Sequence, residues 1–406
     1  MSYSTSQAKC KPAFEPVRPQ DRALGNARVA GSAGAIRVLI AAGGTGGHLY
    51  PGLAIAEEWM RTHPDSKVVF VGTSRGPETQ AVPRAGFELT TISARGFPRR
   101  PGLGWFRAVF GLGRALVQSF RLVVDFKPHV VVGTGSYVSA PVVLIARLFG
   151  IPVIIQEQNS IPGATNRWLN LVATEVHISF VESRGYFRRK NNLRVSGNPI
   201  RRSLLQQDRL SAYEAFGLDP QKRTLFVFGG SRGAQSINRA VQGALERWKG
   251  LTQLQVIWQT GSDDFEAIRE RFQNFPLRVQ VFAYLEAIEK AYAVADLAIC
   301  RAGAMTIAEL AASGVPAILV PYPYATRDHQ THNARGLLDR DAAEVIADKD
   351  LDPEVLAAKV EALLRDEPRL RRLARNARAF ARIDAAQRIA RSMDQLVHAS
   401  PIPRES

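Results

Sequence analysis

The chain has 406 residues and only two cysteines, Cys10 and Cys300. They stand far apart, and Cys10 falls in a polar stretch, so a disulfide framework is excluded and a reducing compartment fits. Long apolar runs are missing as well. The nearest, VSAPVVLIARLFGIPVII, carries Arg147 in its middle and Pro141 and Pro152 near its ends. It does not read as a membrane-spanning helix. The N-terminus lacks the apolar core of a secretory signal, which argues against secretion. Acidic residues are outnumbered, 37 Asp and Glu against 53 Lys and Arg, for a net charge of +16. That excess suits an anionic partner such as nucleic acid, acidic lipid or a phosphorylated substrate, without choosing among them.

What is present is an ordinary apolar content of 46 %, enough for the cores of two, at most three, domains. Residues 1–35 are polar and aperiodic and are expected to be disordered. From Ile36 onward short apolar runs alternate with amphipathic stretches. IRVLIA, KVVFVG, HVVVG and PVIIQ read as buried parallel strands, with EVHISF and LRVSG extending the same sheet. GLAIAEEWMRTH and RAVFGLGRALVQSF read as helices between strands. After SGNPIRRSLL the pattern restarts with TLFVFGG, LQVIWQTG, RVQVFAYL, LAICRAG, AILVPY and AEVIA. The expected fold class is α/β, with two doubly wound domains meeting near residue 200. The Arg-rich stretch from Pro368 to Val397 reads as a solvated helix face.

Ligands in open α/β sheets bind at the carboxyl ends of strands. Four turns have that context: GGTGG at 43–47, GTGSY at 133–137, GGSRG at 229–233 and CRAGAMTIAEL at 300–310. Backbone N–H groups and the positive end of a following helix suit phosphate there. One such turn needs no more than glycine's freedom to take positive φ; four, spread over two domains, point to a ligand. No Walker A motif follows any strand, so an NTPase is disfavoured. A nicotinamide fingerprint fails as well: Gly44 and Gly46 are followed by Leu49, and the second strand ends on Gly72 and Thr73 instead of an acid. Glu309 supplies an alternative ribose acceptor early in the fourth helix, with the N–H groups of 304–306 facing phosphate. The lone D-x-D, Asp348 to Asp350, reads as part of a helix-capping cluster near Asp352 and Pro353, not as a metal site.

The motifs GGTGGHLYPGLAIA, QEQNSIPGATNRWL, SGNPIR, FGGSRGAQSIN, CRAGAMTIAELAASGVPAILVPYP and DHQTHNA occur in the order seen in the MurG family. These are the undecaprenyldiphospho-muramoylpentapeptide β-N-acetylglucosaminyltransferases of glycosyltransferase family 28. The resemblance runs from about Ile36 to about Val397. It implies a GT-B fold of two Rossmann-like domains across a cleft. Residues 36–198 would form the acceptor and membrane domain, completed by a C-terminal helix at about 384–398. Residues 199–383 would form the UDP-GlcNAc domain. It also implies transfer of GlcNAc from UDP-GlcNAc to lipid I, with inversion, to give lipid II. The partners implied are that donor, an undecaprenyl-diphosphate-linked acceptor and the cytoplasmic face of a bacterial inner membrane, with no nucleic acid. No cofactor and no metal are implied. The family's donor-site residues map onto Thr45, Gly46, Gly47, Asn159, Arg201, Ser231, Leu285, Ala304, Met305, Thr306, Ile307, Ala308, Glu309 and Gln330.

The residue chemistry agrees with that map. The planar fork of Arg201 suits a diphosphate. Ser231 and the 304–306 backbone can donate to a leaving diphosphate, and Leu285 can lend backbone to uracil. Gln330 and Asn333, three apart, would share a helix face and offer amides to sugar hydroxyls. Two positions depart from the family pattern, Ser136 for a glycine and Gln156 for a histidine, both expected on the acceptor side. The base that takes the acceptor proton is expected to be His48 or its acidic rival Glu157. Glu57 and Glu58 read as solvated.

Residues 89–124 contain no acid. They interleave Arg95, Arg99, Arg100, Arg107, Arg114 and Arg121 with Phe97, Leu103, Trp105, Phe106, Val109, Phe110 and Leu112. Cations beside apolar anchors suit an anionic bilayer surface. The rival readings are another GT-B enzyme, such as a glycolipid synthase or a sugar-nucleotide epimerase, and a non-catalytic nucleotide-sugar binder at a membrane.

Overall fold

The computed structural model describes residues 35–94 and 103–399, apart from the side chains of 103–109. The segment expected to be disordered, but for Ala35, lies outside the described residues. The first half runs β1 (Arg37–Ala41), α1 (Gly46–Thr62), β2 (Lys67–Gly72), α2 (Glu78–Arg84), β3 (Glu88–Thr91), α3 (Leu103–Phe126), β4 (Val130–Gly133), α4 (Ser136–Leu148), β5 (Val153–Glu157), α5 (Ala164–Leu169), β6 (Glu175–Ile178) and β7 (Leu193–Val195). The second half runs α6 (Arg209–Phe216), β8 (Arg223–Phe228), α7 (Gln235–Trp248), β9 (Leu254–Gln259), α8 (Ser262–Phe272), β10 (Arg278–Phe282), α9 (Ile288–Val294), β11 (Leu297–Cys300), α10 (Ala304–Ser313), β12 (Ala317–Leu319), α11 (His329–Leu338), β13 (Glu344–Val345), α12 (Pro353–Arg365), α13 (Glu367–Phe380) and α14 (Ala385–Ala399).

The strands form two all-parallel sheets, ordered β3-β2-β1-β4-β5-β6-β7 and β10-β9-β8-β11-β12-β13. Both orders reverse beside their first strand, which opens a crevice at the carboxyl ends of β1 and β4 and again at β8 and β11. Central strands such as VVFV and VVVG are buried on both faces, so they are apolar throughout and not alternating. Each sheet is covered on both sides by apolar clusters. The strand readings hold. The edge strand β3, ELTT, was not expected, because it is short and only partly buried.

The last helix returns to the first sheet. Ile389, Ala390 and Met393 of α14 join Val38, Leu53 and Trp59 in one cluster against α1. Burying Ile389 and Met393 contributes about 2 kcal/mol each. The Arg-rich stretch is α13 and α14. In α13 Leu370, Leu373 and Ala377 face inward, while Arg369, Arg371 and Arg372 pair with Glu344, Glu367 and Asp341.

The first glycine turn contains its own anion. Glu78, wholly buried, accepts from the N–H of Gly44 at 3.1 Å and from Thr73 N and Oγ1 at 2.8 and 2.7 Å. A methyl on Gly43 would fall 2.5 Å from Oε1 of Glu78. Gly43 is therefore bare to admit an internal carboxylate, and Gly44, at φ +84°, turns the backbone so that its N–H reaches it. Glu78→Ala is expected to cost about 2 kcal/mol of stability in denaturant unfolding, the scale of a lost hydrogen bond to a charged group. A loss under about 0.5 kcal/mol would mean that the turn holds its shape without the carboxylate.

Candidate functional site

Four helices begin at the glycine turns, and their N-caps are Thr45, Gly135, Ala234 and Gly303, none of which makes a side-chain capping bond. Three helices are capped by aspartates, Asp208, Asp352 and Asp366, each accepting from an amide of the helix it opens, while α2, α5, α8 and α9, like the crevice helices, have no side-chain cap. The first three N–H groups of a helix have no partner within it. At the crevice those donors carry no side-chain cap. Gly47 is exposed and an added Cβ there would meet only Thr45 Oγ1, at 3.8 Å, while Gly230, at φ +93°, has open space around it. Ser136 takes φ +65°, a left-handed conformation that glycine adopts more cheaply.

The halves meet across this crevice through named contacts. The hydroxyls of Tyr50 on α1 and Tyr284 before α9 lie 2.9 Å apart. Arg84 pairs with Glu286 at 3.0 Å. The amide oxygen of Asn333 on α11 accepts from Ser160 N and Oγ at 2.9 and 2.8 Å. Its nitrogen donates to Asn159 Oδ1 and to Ala302 O. Asn333 is completely buried, so it is a junction residue and not a sugar contact. Asn159 is committed to the same junction. Gln330 stays at the crevice, half-buried, its Oε1 accepting from Tyr322 N at 2.9 Å.

Arg201 follows the crossing between the halves. Its guanidinium lies 5.2 Å from the centre of the Tyr50 ring and 3.5 Å from Glu289. Burial works against its charge, but Glu289, Glu309, Tyr50 and Glu57 together hold its pKa above the ordinary value. Glu57 is thus part of the crevice, half-buried with its pKa raised by burial, and not solvated as expected. Glu58 is buried too and grips Arg61 at 2.7 Å. Glu57 is turned toward Arg201, and Glu58 is held by Arg61 one turn on.

Glu309 lies in the second turn of α10 and accepts from Tyr292 Oη at 3.0 Å. Burial raises its pKa, opposed by Arg201 and by the Tyr292 hydrogen bond. The run Ala304 to Glu309 does not act as a unit. The N–H groups of Ala304, Met305 and Thr306 are terminal donors, whereas Ile307 donates to Gly303 O within the helix and its side chain is core. Ala308 packs against that core as well. Ser231 is exposed on the third turn. Leu285 is buried and its N–H is already taken by Gln259 Oε1 at 2.8 Å. Gln259 also donates to Gly230 O at 2.9 Å, tying the third turn to the Leu285 loop. The signal for Gln259 was a polar residue at the carboxyl end of β9.

His48 is half-buried near the start of α1, with Nδ1 2.9 Å from Thr45 Oγ1. Burial, and secondarily His329 across the crevice, lowers its pKa to about 4. Its rival Glu157 is differently placed. That carboxylate is buried and accepts from Asn159 N, Asn166 Nδ2 and Gly163 N at 2.8, 2.9 and 3.1 Å. With its lone pairs engaged, Glu157 shapes the 157–166 loop and is not available as a base. Gln156 is also buried, donating to Asn198 Oδ1 and Ser179 Oγ, so it does not face an acceptor. Asn198 continues to Ala304 O at 3.2 Å, linking the first sheet to the head of α10.

Asp352 caps α12 through Glu354 N. Asp348 instead pairs with Arg301 and accepts from Ser236 Oγ at 2.6 Å. Among the described residues no group of three or more His, Cys, Asp or Glu could hold a metal ion. No described helix is long and apolar enough to cross a membrane.

The basic stretch is visible in part. Arg95, Phe97, Arg99 and Arg100 lie outside the described residues, as do the side chains of Leu103, Trp105, Phe106, Arg107 and Val109. From Phe110 onward α3 exposes Phe110, Arg114, Val117, Arg121 and Val124 in one stripe, with Gly113, Phe120 and Asp125 beside it. Phe110 is 77 % exposed. The Phe120 ring lies 5.5 Å from Phe149, which extends the stripe to Leu148 at the end of α4, 80 % exposed.

Residues 38–178 match the glycosyltransferase family 28 N-terminal domain, and residues 224–389 the family 28 C-terminal domain. Similar curated proteins include the UDP-N-acetylglucosamine–N-acetylmuramyl-(pentapeptide) pyrophosphoryl-undecaprenol N-acetylglucosamine transferase of Prosthecochloris aestuarii. It is 44 % identical over 366 residues, spanning 87 % of this chain and 98 % of that one. The protein of the same name from Acetivibrio thermocellus is 39 % identical over 355 residues, spanning 87 % and 96 %. The crystal structure of Acinetobacter baumannii MurG superposes with a TM-score of 0.69 at 32 % identity, covering 89 % of this chain and 99 % of that one. With both halves matched in order, the chain belongs to glycosyltransferase family 28 and has its two-domain GT-B fold.

Proposed function

We propose that this chain transfers N-acetylglucosamine from UDP-GlcNAc to the MurNAc 4-hydroxyl of an undecaprenyl-diphosphate-linked muramoyl pentapeptide, lipid I, giving lipid II with inversion. The observation that carries the reading is convergence. The head of α1, Arg201, Glu309 and the head of α11 share one crevice, in a chain whose relatives bear that transferase name. Residues 36–198 with the helix at 384–398 serve the acceptor and the membrane, and residues 199–383 bind the donor.

In this reading the terminal amides of α10 and the Arg201 fork receive the diphosphate. Thr45 to Gly47 and Ser231 complete the donors from the facing turns. Glu309 accepts from the ribose, the Leu285 loop borders uracil, and Gln330 reaches the sugar. Leaving-group charge is met by fixed dipoles and a guanidinium, which requires no divalent cation. His48 takes the acceptor proton at Nε2, in the tautomer whose Nδ1–H donates to Thr45 Oγ1. Its lowered pKa keeps it neutral, hence able to accept, throughout the physiological range. The α3 stripe holds the enzyme peripherally on the cytoplasmic face of the bacterial inner membrane, where the lipid-linked acceptor lies. An epimerase of similar fold has no use for that stripe.

Glu309→Ala is expected to raise the donor KM about tenfold or more with little change in kcat; an unchanged KM removes its ribose role. A transfer assay with UDP-GlcNAc, a lipid I analogue and EDTA tests the whole proposal: donor consumption without transfer, or none at all, refutes it. For His48, a base must be deprotonated, so kcat at saturating donor should stay level as pH falls from 8 to 5 and decline only through about pH 4. His48→Ala should lower kcat by about 100-fold or more; an acid limb near an ordinary imidazole pKa, or a mild effect of the substitution, speaks against it. Arg114→Gln with Arg121→Gln should weaken binding to vesicles rich in anionic lipid by about 2 kcal/mol, close to thirtyfold. Turnover of a water-soluble acceptor should be spared. Equal vesicle affinity would rule out the stripe.

A further inference from the structure

We propose that Tyr292, on α9, is a positioning residue that holds the Glu309 carboxylate in the orientation needed to accept from the ribose of the donor. The inference rests on the ribose role given to Glu309 above and adds what fixes that carboxylate.

Tyr292 is 2 % exposed, so its hydroxyl cannot touch a substrate. That hydroxyl donates to Glu309 Oε2 at 3.0 Å. The ring is locked in place. It stands edge-on to Phe226 and Phe228, at 5.5 and 5.8 Å between centroids and 89° and 90° between planes. Those two phenylalanines stack on each other at 4.4 Å along β8. A buried tyrosine fixed by aromatic edges is a rigid donor, with few rotamers to lose. One carboxylate oxygen is thereby pinned to the core of the second sheet. The other, Oε1, is left as the acceptor turned to a ligand.

The arrangement answers a specific difficulty. Glu309 sits on a three-carbon leash beside the Arg201 guanidinium, which attracts it. A carboxylate swung onto Arg201 would neutralise the cation proposed for the diphosphate and leave the ribose unmet. The Tyr292 hydroxyl competes with that swing, so that sugar and phosphate recognition stay separate. Its hydrogen bond also favours the ionised carboxylate, which accepts from two hydroxyls, over the protonated one that burial favours.

The test compares wild type, Tyr292→Phe and Glu309→Gln with UDP-GlcNAc and with the analogue lacking the ribose 2′-hydroxyl, from pH 5 to 8. Tyr292→Phe keeps the ring and its edge-on packing, so the fold and the thermal midpoint should be nearly unchanged. Its donor KM should rise about 5- to 20-fold, the scale of one charge-assisted hydrogen bond, with kcat within about twofold. The wild-type preference for the 2′-hydroxyl should shrink in the variant. The rise of donor KM toward acid should start at higher pH, because the lost hydrogen bond lets the Glu309 carboxyl hold its proton longer. A merely structural tyrosine would leave both the 2′-hydroxyl preference and the pH limb in place. If Glu309→Gln raises KM and Tyr292→Phe moves none of these readouts, the positioning role is overturned while the ribose role stands. If Glu309→Gln itself leaves the donor KM unchanged, the ribose role is overturned and the positioning role with it.

Discussion

The amide of Asn333 joins the two halves of the molecule where water cannot reach it. It accepts from Ser160 on one side, donates to Asn159, and donates to Ala302 O in its own half. A buried amide satisfied on both ends is costly to break. With Asn198 bonded to Ala304 O nearby, it fixes the angle at which the carboxyl ends of the two sheets face each other. Together with the Tyr50–Tyr284 and Arg84–Glu286 contacts, that angle brings the glycine turns, Arg201 and the α11 head to one crevice.

Much of the fold was legible because buried parallel strands are apolar runs, and most of the twelve runs were bounded by glycine or proline. The chain even repeats its own order, first strand central and the switch beside it. The edge strand β3 was illegible, since ELTT has neither alternation nor an apolar run. Site residues that act through backbone or a unique charge were readable: the head of α10, Arg201, Glu309. Residues that support them were not. Gln259, Tyr292 and Glu78 lie far in sequence from the groups they hold, and nothing local marks a glutamate as the filler of a turn more than thirty residues away. Gln156, Glu157 and Asn333 were misread for the converse reason. Polar residues beside a motif resemble ligand contacts, whereas here each satisfies a buried backbone or amide group.

Around Arg201 the crevice carries more acid than base. One guanidinium is surrounded by Glu57, Glu289 and Glu309, and His48 remains neutral. A protein with an overall charge of +16 thus keeps its excess cations elsewhere, including the exposed stripe of α3. General attraction to anionic surfaces and specific grip on a diphosphate are handled by different parts of the molecule.

Glu78 has one further consequence. Because the anion that moulds the first glycine turn belongs to the polypeptide, the loop does not wait for a ligand to acquire its form. No ordering entropy is charged against each arriving molecule, and none is regained when a product departs. Repeated cycles of capture and release can then run on an unchanging cradle, with motion reserved for the groups that touch cargo.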